Sequence, residues 1–393
     1  MPRIKFWDGM PANLPPEYFK AEEKYACART LEEKILATEE LIRAAPKHKG
    51  AEKLLKTLKT RLAKLRQELR KQQARRTGGG PSFAVKKEGA AQVAILGLPN
   101  SGKSTLLQRL TAAQLEVAPY PFTTREPVPG MMQFEDVQVQ LVEVPAIVEG
   151  SSLGRGLGAQ PLSVARNADT IALIVDLSAD PIKQVETLTA ELEAAGVKLN
   201  KPPPKLEISR RETGGIEIRG AEFFGGGEAE LKRILQEHRI YNAGVDIKGP
   251  TTAEDVEEAL DESIVYRRAM IIATKMDAQK ASSNFIKLTH AYEKRFSIFL
   301  ASSKEGRPDE LKKQIFENLN VVRVYTKRPD EKPAERPLML RRGSTIADVA
   351  REVHKDFARN LKFARVWGST RFPGQQVPRD YELRDKDVVE LHL

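Results

Sequence analysis

An α/β fold organised on a parallel sheet is predicted for this 393-residue chain, and three observations predict it. Residues 93–96 are a short apolar run with the look of a buried strand, and residues 105–110 read as the start of a helix. Between them Gly97, Gly102, Lys103 and Ser104 match G-x-x-x-x-G-K-[ST], and strand–loop–helix is the context this motif requires. Further apolar runs at 171–176 and 269–274 alternate with helical stretches, the rhythm of a parallel sheet. The last of these runs delivers Thr274-Lys275-Met276-Asp277, a match to [NT]-K-x-D.

The chemistry of the first loop follows from its shape. Glycines let the backbone curl so that N–H groups face inward, and the helix N-terminus adds partial positive charge. Such a loop holds the phosphates of a nucleotide. Pro99, Asn100, Ser101, Gly102, Lys103, Ser104 and Thr105 are its candidate contacts, with Lys103 on the β/γ-phosphates and Ser104 on Mg²⁺. At Asp277 a carboxylate can accept from the guanine N1–H and amino group, a donor pair that adenine lacks. The Lys275 stem is expected to cover the base. Ala301, Ser302 and Ser303 follow the strand at 297–300 and stand where backbone N–H groups would meet guanine O6.

Composition narrows the class. Hydrophobic residues make up 40% and charged residues 30%, as in soluble proteins. Cys27 is the single cysteine, which excludes an intramolecular disulfide and a thiolate zinc cluster. With no apolar run of membrane-spanning length and no signal-peptide pattern, a cytoplasmic protein with no membrane or DNA partner is expected. The net charge of +10 is unevenly placed: residues 47–76 hold twelve Lys/Arg against two Glu. This is an electrostatic footprint for a polyanion such as RNA, with Lys56, Lys59, Arg66 and Arg70 as candidate contacts.

Taken in order, residues 1–30 read as irregular because of Pro11, Pro15 and Pro16. A helix at 31–44 and a second at 51–76, with a leucine seam at 55, 58, 62, 65 and 69, predict an α-hairpin. Residues 77–81 are a linker. Phe122, Thr123 and Thr124 lie in a proline-broken loop where a GTPase carries its first switch, whose threonine completes the Mg²⁺ shell. Strands at 128–134 and 137–144 follow. The second ends in Glu143-Val144-Pro145-Ala146, where a GTPase carries D-x-x-G, and Ile147 stands where Ras-like enzymes carry the water-orienting Gln. Glu keeps the charge on a longer stem, and Ala keeps an N–H but restricts the backbone. Residues 197–265 interrupt the sheet rhythm and predict a small α+β insertion. The expected domains are an N-terminal helical region at 1–80, a G domain at 90–325 and a compact C-terminal module at 336–393, with a sheet over one helix.

The motif order resembles the developmentally regulated GTP-binding (DRG) family, within the Obg-like translation-factor GTPases. The residues that carry it are LKTRLAKLRQELRK at 58–71, LGLPNSGKSTLL at 96–107, YPFTTREPVPG at 120–130, RNAD at 166–169, GVKLNKPPP at 196–204, RIYNAGV at 239–245, TKMD at 274–277 and RVYTKRP at 323–329. The stretch from HKDF onward looks like a TGS domain, a ubiquitin-like β-grasp module. The resemblance implies a Ras-like G domain acting as a GTP/GDP switch on ribosomes or RNA, with a small regulatory protein as a further partner. By position it implies Mg²⁺ on Ser104 and Thr124, and K⁺ held with the help of Asn100, so that Lys103, Thr124 and Asn100 form the catalytic set. Glu143, Ala146 and Thr274 depart from the family's D-x-P-G and N-K-x-D. Two other readings stay open: a module that binds GTP without hydrolysing it, and an ATPase, against which Asp277 argues.

Overall fold

A computed structural model describes residues 14–28, 30–46, 51–76, 85–111, 126–153, 160–301 and 308–392. Three helices open the chain: α1 (Pro16–Cys27), α2 (Leu31–Ala44) and α3 (Glu52–Arg76). Helix α1 corrects the expectation of irregular chain. Pro16 occupies its first turn, where a missing N–H costs nothing, and Tyr18 and Ala21 bury against Leu41, Ala45 and Leu58. A capping box between Thr30 and Glu33 starts α2. Of the leucine seam of α3, Leu58, Leu65 and Leu69 are buried.

The central sheet then assembles from β1 (Gln92–Gly97), β2 (Val128–Phe134), β3 (Val137–Glu143), β4 (Thr170–Asp176) and β5 (Val197–Leu199), with helices α4 (Lys103–Leu110), α5 (Gln160–Asn167) and α6 (Pro181–Ala194) between them. The insertion contributes β6 (Leu206–Arg210), β7 (Ile216–Arg219), α7 (Gly227–Glu237), β8 (Ala243–Ile247) and α8 (Ala253–Leu260). It forms its own sheet, ordered β6-β8-β7, over a core of Leu231, Leu235, Val245 and Val256. The middle strand β8 is short and carries Gly244 and Asp246, so its sequence gives no strand signal. The central sheet resumes with β9 (Val265–Thr274), α9 (Ala281–Tyr292), β10 (Ser297–Leu300) and α10 (Pro308–Asn318).

Its order is β10-β9-β4-β1-β3-β2, with β5 on β9, and only the β2–β3 pair within that path is antiparallel. Ile95, Leu107, Leu141, Ile174, Ile272 and Phe316 fill the core on one side. The parallel register brings the carboxyl ends of β1, β3, β4 and β9 to one edge: Ile95 faces Glu143, Gly97 faces Ile174, and Asp176 faces Thr274. Ligand sites of open α/β sheets form at that edge.

The C-terminal sheet is ordered β12-β11-β15-β13-β14, from β11 (Val321–Thr326), β12 (Leu338–Arg341), β13 (Phe363–Trp367), β14 (Gln375–Val377) and β15 (Asp387–His392). Two helices, α11 (Ile346–Val353) and α12 (Lys355–Asn360), cover it, where the sequence suggested one. The strand at 321–326 belongs here and not to the G domain: it pairs with β12 and β15 through Val322 and Val324, both buried in this module's core. The chain divides into two compact units. One takes the described residues of 1–82 with 194–196 and 203–265; the other takes those of 83–193, 197–202 and 266–393.

Candidate nucleotide site

The loop from Leu98 to Gly102 leaves the buried end of β1 and turns into α4. Two of its residues need a left-handed backbone, Asn100 with φ 60° and Gly102 with φ 90°. Gly97 is required for space, because a Cβ there would lie 2.5 Å from Ser101 Oγ and 2.9 Å from the Ile174 carbonyl. Lys103 is the first residue of α4. Its side chain folds back so that Nζ donates to the carbonyls of Gly97 at 3.2 Å and Leu98 at 2.9 Å. At 6% exposure the ammonium is almost wholly desolvated. Burial pushes its pKa down to about 8, against an opposing pull from the Glu143 carboxylate.

Ser104 donates its hydroxyl to Glu143 Oε1 at 2.6 Å. The two residues named from separate stretches of sequence therefore meet, and Glu143 is 2% exposed at the end of β3. A hydroxyl and a carboxylate converging beside a buried ammonium are hard oxygen donors of the kind that Mg²⁺ takes, so these residues fit the ion expected there.

The segment after Glu143 is fastened to the P-loop. Val144 N–H donates to the Ile95 carbonyl at 3.1 Å, and Ile147 N–H donates to the Gly97 carbonyl at 3.2 Å. Ala146, between them, is half-buried. The Ile147 side chain has 0% exposure, so the residue at the water-orienting position is a core residue. The glycine-rich stretch that begins at Gly150 is held where it is described. Glu191 of α6 accepts from the N–H groups of Gly150 at 2.6 Å and Ser152 at 2.7 Å. Sequence reasoning missed Glu191, since one Glu on an amphipathic helix carries no signal of its own.

The Thr274–Asp277 turn is tied to the same loop. Thr274 Oγ1 donates to the Ser101 carbonyl at 2.7 Å and approaches the Val175 carbonyl at 3.3 Å. This gives the departure from Asn a function: a hydroxyl bridges the turn to the P-loop. Lys275 takes a left-handed φ of 56° and sets its ammonium 2.6 Å from Asp176 Oδ2. Asp176, unforeseen in the sequence, also accepts from Ser178. Asp277 is exposed in the turn after β9, and Ala301 donates its N–H to Ala273 at 2.8 Å. Pro99 is half-buried and Thr105 exposed on the same loop and helix. Phe122, Thr123, Thr124, Ser302 and Ser303 lie outside the described residues.

The candidate RNA contacts sit elsewhere, on α3. Lys56 pairs with Glu230 at 2.9 Å, Lys59 with Glu254 at 3.8 Å and Arg66 with Glu39 at 2.8 Å. The side chain of Arg70 lies outside the described residues. Three of the four candidate contacts are thus set against acids of the insertion and of α2.

Comparison with known proteins follows the same divisions. A family model described as a 50S ribosome-binding GTPase matches residues 92–207, and one for the C-terminal region of that domain matches 213–321. A TGS domain model matches 322–393, which includes β11. An uncharacterized GTP-binding protein of Methanocaldococcus jannaschii is 36% identical over 367 residues, 92% of either chain. A developmentally-regulated GTP-binding protein 2 homolog of Dictyostelium discoideum is 34% identical, covering 91% of this chain and 98% of its own. Among solved structures, the Schizosaccharomyces pombe YchF GTPase aligns with 78% of this chain and 99% of its own at 16% identity, with a TM-score of 0.46. The sequence likeness to these relatives covers 91–92% of the chain, and the chain belongs to the developmentally-regulated GTP-binding (DRG) family.

Proposed function

We propose that the chain is a guanine-nucleotide switch that binds GTP and GDP, hydrolyses GTP slowly, and works on ribosomes or RNA in the cytoplasm. One observation carries the nucleotide reading. Lys103, the Ser104–Glu143 pair and the Thr274 bridge gather at the carboxyl ends of adjacent parallel strands, so the residues proposed for phosphate, metal and base stand at one edge. Lys103 would hold the β/γ-phosphates, Ser104 with Glu143 and Thr124 would hold Mg²⁺, and Lys275 with Asp277 would read guanine. Mg²⁺ supplies neutralisation of phosphate charge when bound. K⁺, with Asn100 as a ligand, is the second cation of the proposal. Ala146 would present its N–H to the terminal phosphate. The ribosomal part draws on the description of the matching family model and on the basic stretch at 47–76. A small regulatory protein is the further partner expected.

A second reading, binding without hydrolysis, is favoured by Ile147, a buried side chain with nothing to orient water. The test is GTP turnover with Mg²⁺ in K⁺ and in Na⁺, with and without ribosomes. Turnover that rises in K⁺ and vanishes in Lys103→Ala supports the switch. Background rates in K⁺, rescued by Glu143→Asp with Ala146→Gly, support the second reading.

A further inference from the structure

We infer that Glu191, on α6 and outside the nucleotide loops, is a positioning residue for the segment from Glu143 to Leu153, and that it sets how strongly the protein prefers GTP over GDP. This rests on the nucleotide site proposed above. Beyond the Val144 N–H bond to the Ile95 carbonyl on β1, the segment is pinned at three places. Glu143 meets Ser104, Ile147 N–H meets the Gly97 carbonyl, and Glu191 takes the N–H groups of Gly150 and Ser152 on separate carboxylate oxygens. The first two anchors lie on the P-loop itself. Glu191 is the far anchor, and it is the one that reaches in from another helix. At 7% exposure its charge is removed from water, so the backbone dipoles it gathers are its main compensation. Gly150 presents its N–H from a left-handed backbone, φ 88°, which glycine adopts without strain. Between the anchors the backbone closes on itself, with Val148 N–H donating to Ser151 Oγ at 3.0 Å and Ser151 N–H to the Val148 carbonyl at 3.0 Å.

The consequence is thermodynamic. A segment fixed at both ends keeps Ala146 beside the P-loop before any terminal phosphate arrives. A segment released at its far end must be ordered by that phosphate, and the ordering reduces affinity for GTP alone. GDP makes no demand on the segment, so its affinity is insensitive to the release.

The test uses the full chain and measures dissociation constants for GDP and for a non-hydrolysable GTP analogue. In Glu191→Gln the amide NH₂ faces a backbone N–H, so one of the two donors loses its acceptor. The GTP-analogue constant is expected to rise about tenfold while that for GDP stays within about twofold. Hydrogen exchange of the Gly150 and Ser152 amides should quicken in the same variant. Glu191→Asp, which keeps both acceptors, should fall between the two proteins. An unchanged GTP/GDP ratio in both variants, whatever happens to thermal stability, overturns the inference, as does an equal loss for both nucleotides. A wild-type protein that binds neither nucleotide is a failure of the proposed function, visible before any variant is made.

Discussion

Lys103 and Arg323 are both nearly buried cations, at 6% and 3% exposure, and the fold surrounds them in opposite ways. Lys103 Nζ is hydrogen-bonded to two main-chain carbonyls, and burial draws its pKa down to about 8. Arg323, on β11, donates Nε and Nη2 to the two oxygens of Asp385 at 3.0 and 2.6 Å. Its Nη1 reaches Glu135 at 2.6 Å and Asp136 at 2.8 Å, at the tip of the β2–β3 hairpin. Its guanidinium also lies 5.0 Å from the centre of the Phe316 ring. The Asp385 hydrogen bonds foremost, then those of Glu135 and Asp136, outweigh burial and hold the Arg323 pKa above its ordinary value. Tyr325 adds a hydrogen bond to Asp136, and Lys386 pairs with Glu135 at 2.9 Å. A cation saturated by carboxylates is a structural joint, here between the central sheet and the C-terminal sheet. A cation whose hydrogen bonds go to carbonyls, with one carboxylate acting on it only through its charge, is the kind expected of the proposed phosphate site.

The largest effect expected from breaking this contrast is at Lys103. Lys103→Ala should weaken GDP and GTP by two orders of magnitude or more, roughly the worth of a desolvated charge-assisted contact, while leaving the melting temperature unchanged or raised. Nucleotide titration and calorimetry on the same protein check both halves. Arg323→Ala should do the reverse. It strands carboxylates at a junction and should cost about 3–5 kcal/mol of stability, with nucleotide affinity within twofold. Denaturant unfolding of the variant reads the first quantity.

Acid sharpens the same contrast. Glu135, Asp136 and Asp385 all have pKa values below the usual range. Burial alone would raise Asp136 and Asp385, but hydrogen bonds from Tyr325 and Arg323 outweigh it, while Lys386 and Arg323 lower Glu135. Carboxylates depressed in the folded state stabilise fully above their unfolded values, about pH 4, and lose that stabilisation as pH falls through the folded ones. Acid below pH 4 should therefore destabilise the wild type more steeply than Arg323→Met, measured as melting temperature against pH. The smallest effect is at Thr274. Thr274→Val removes the hydroxyl bond to the Ser101 carbonyl and should weaken GDP by about fivefold, near 1 kcal/mol, whereas Thr274→Asn should restore it.

The same two regions show what the sequence makes legible. The P-loop, the alternating strands and the T-K-x-D turn are local patterns, so Gly97, Lys103, Ser104 and Thr274 could be named in advance and were found together. Glu191 acts through N–H groups 39 and 41 positions away, Asp176 pairs with a lysine 99 positions away, and Arg323 with carboxylates 62 to 188 positions away, and no local pattern marks such pairs. Helix α1 was hidden by its prolines, and β8 by its glycine. The strand at 321–326 was not named in advance: the expected G domain ended at 325, inside it, and an apolar run does not say which core it enters. The basic helix α3 was legible in sign but not in pairing: Lys56 and Lys59 were readable, and Glu230 and Glu254, facing them from the insertion, were not.

Proton uptake on nucleotide binding tests the central contrast most directly. With its pKa drawn down to about 8, the buried Lys103 is expected to lose its proton above pH 8 in the free protein and to regain it beside the polyphosphate of a bound nucleotide. Calorimetric titration of GDP at pH 8, in buffers of different ionisation enthalpy, should therefore show uptake of about half a proton. Lys103→Arg, charged at every pH used, should bind with none. Wild-type binding without uptake would contradict the account of Lys103 as the buried cation that phosphate completes.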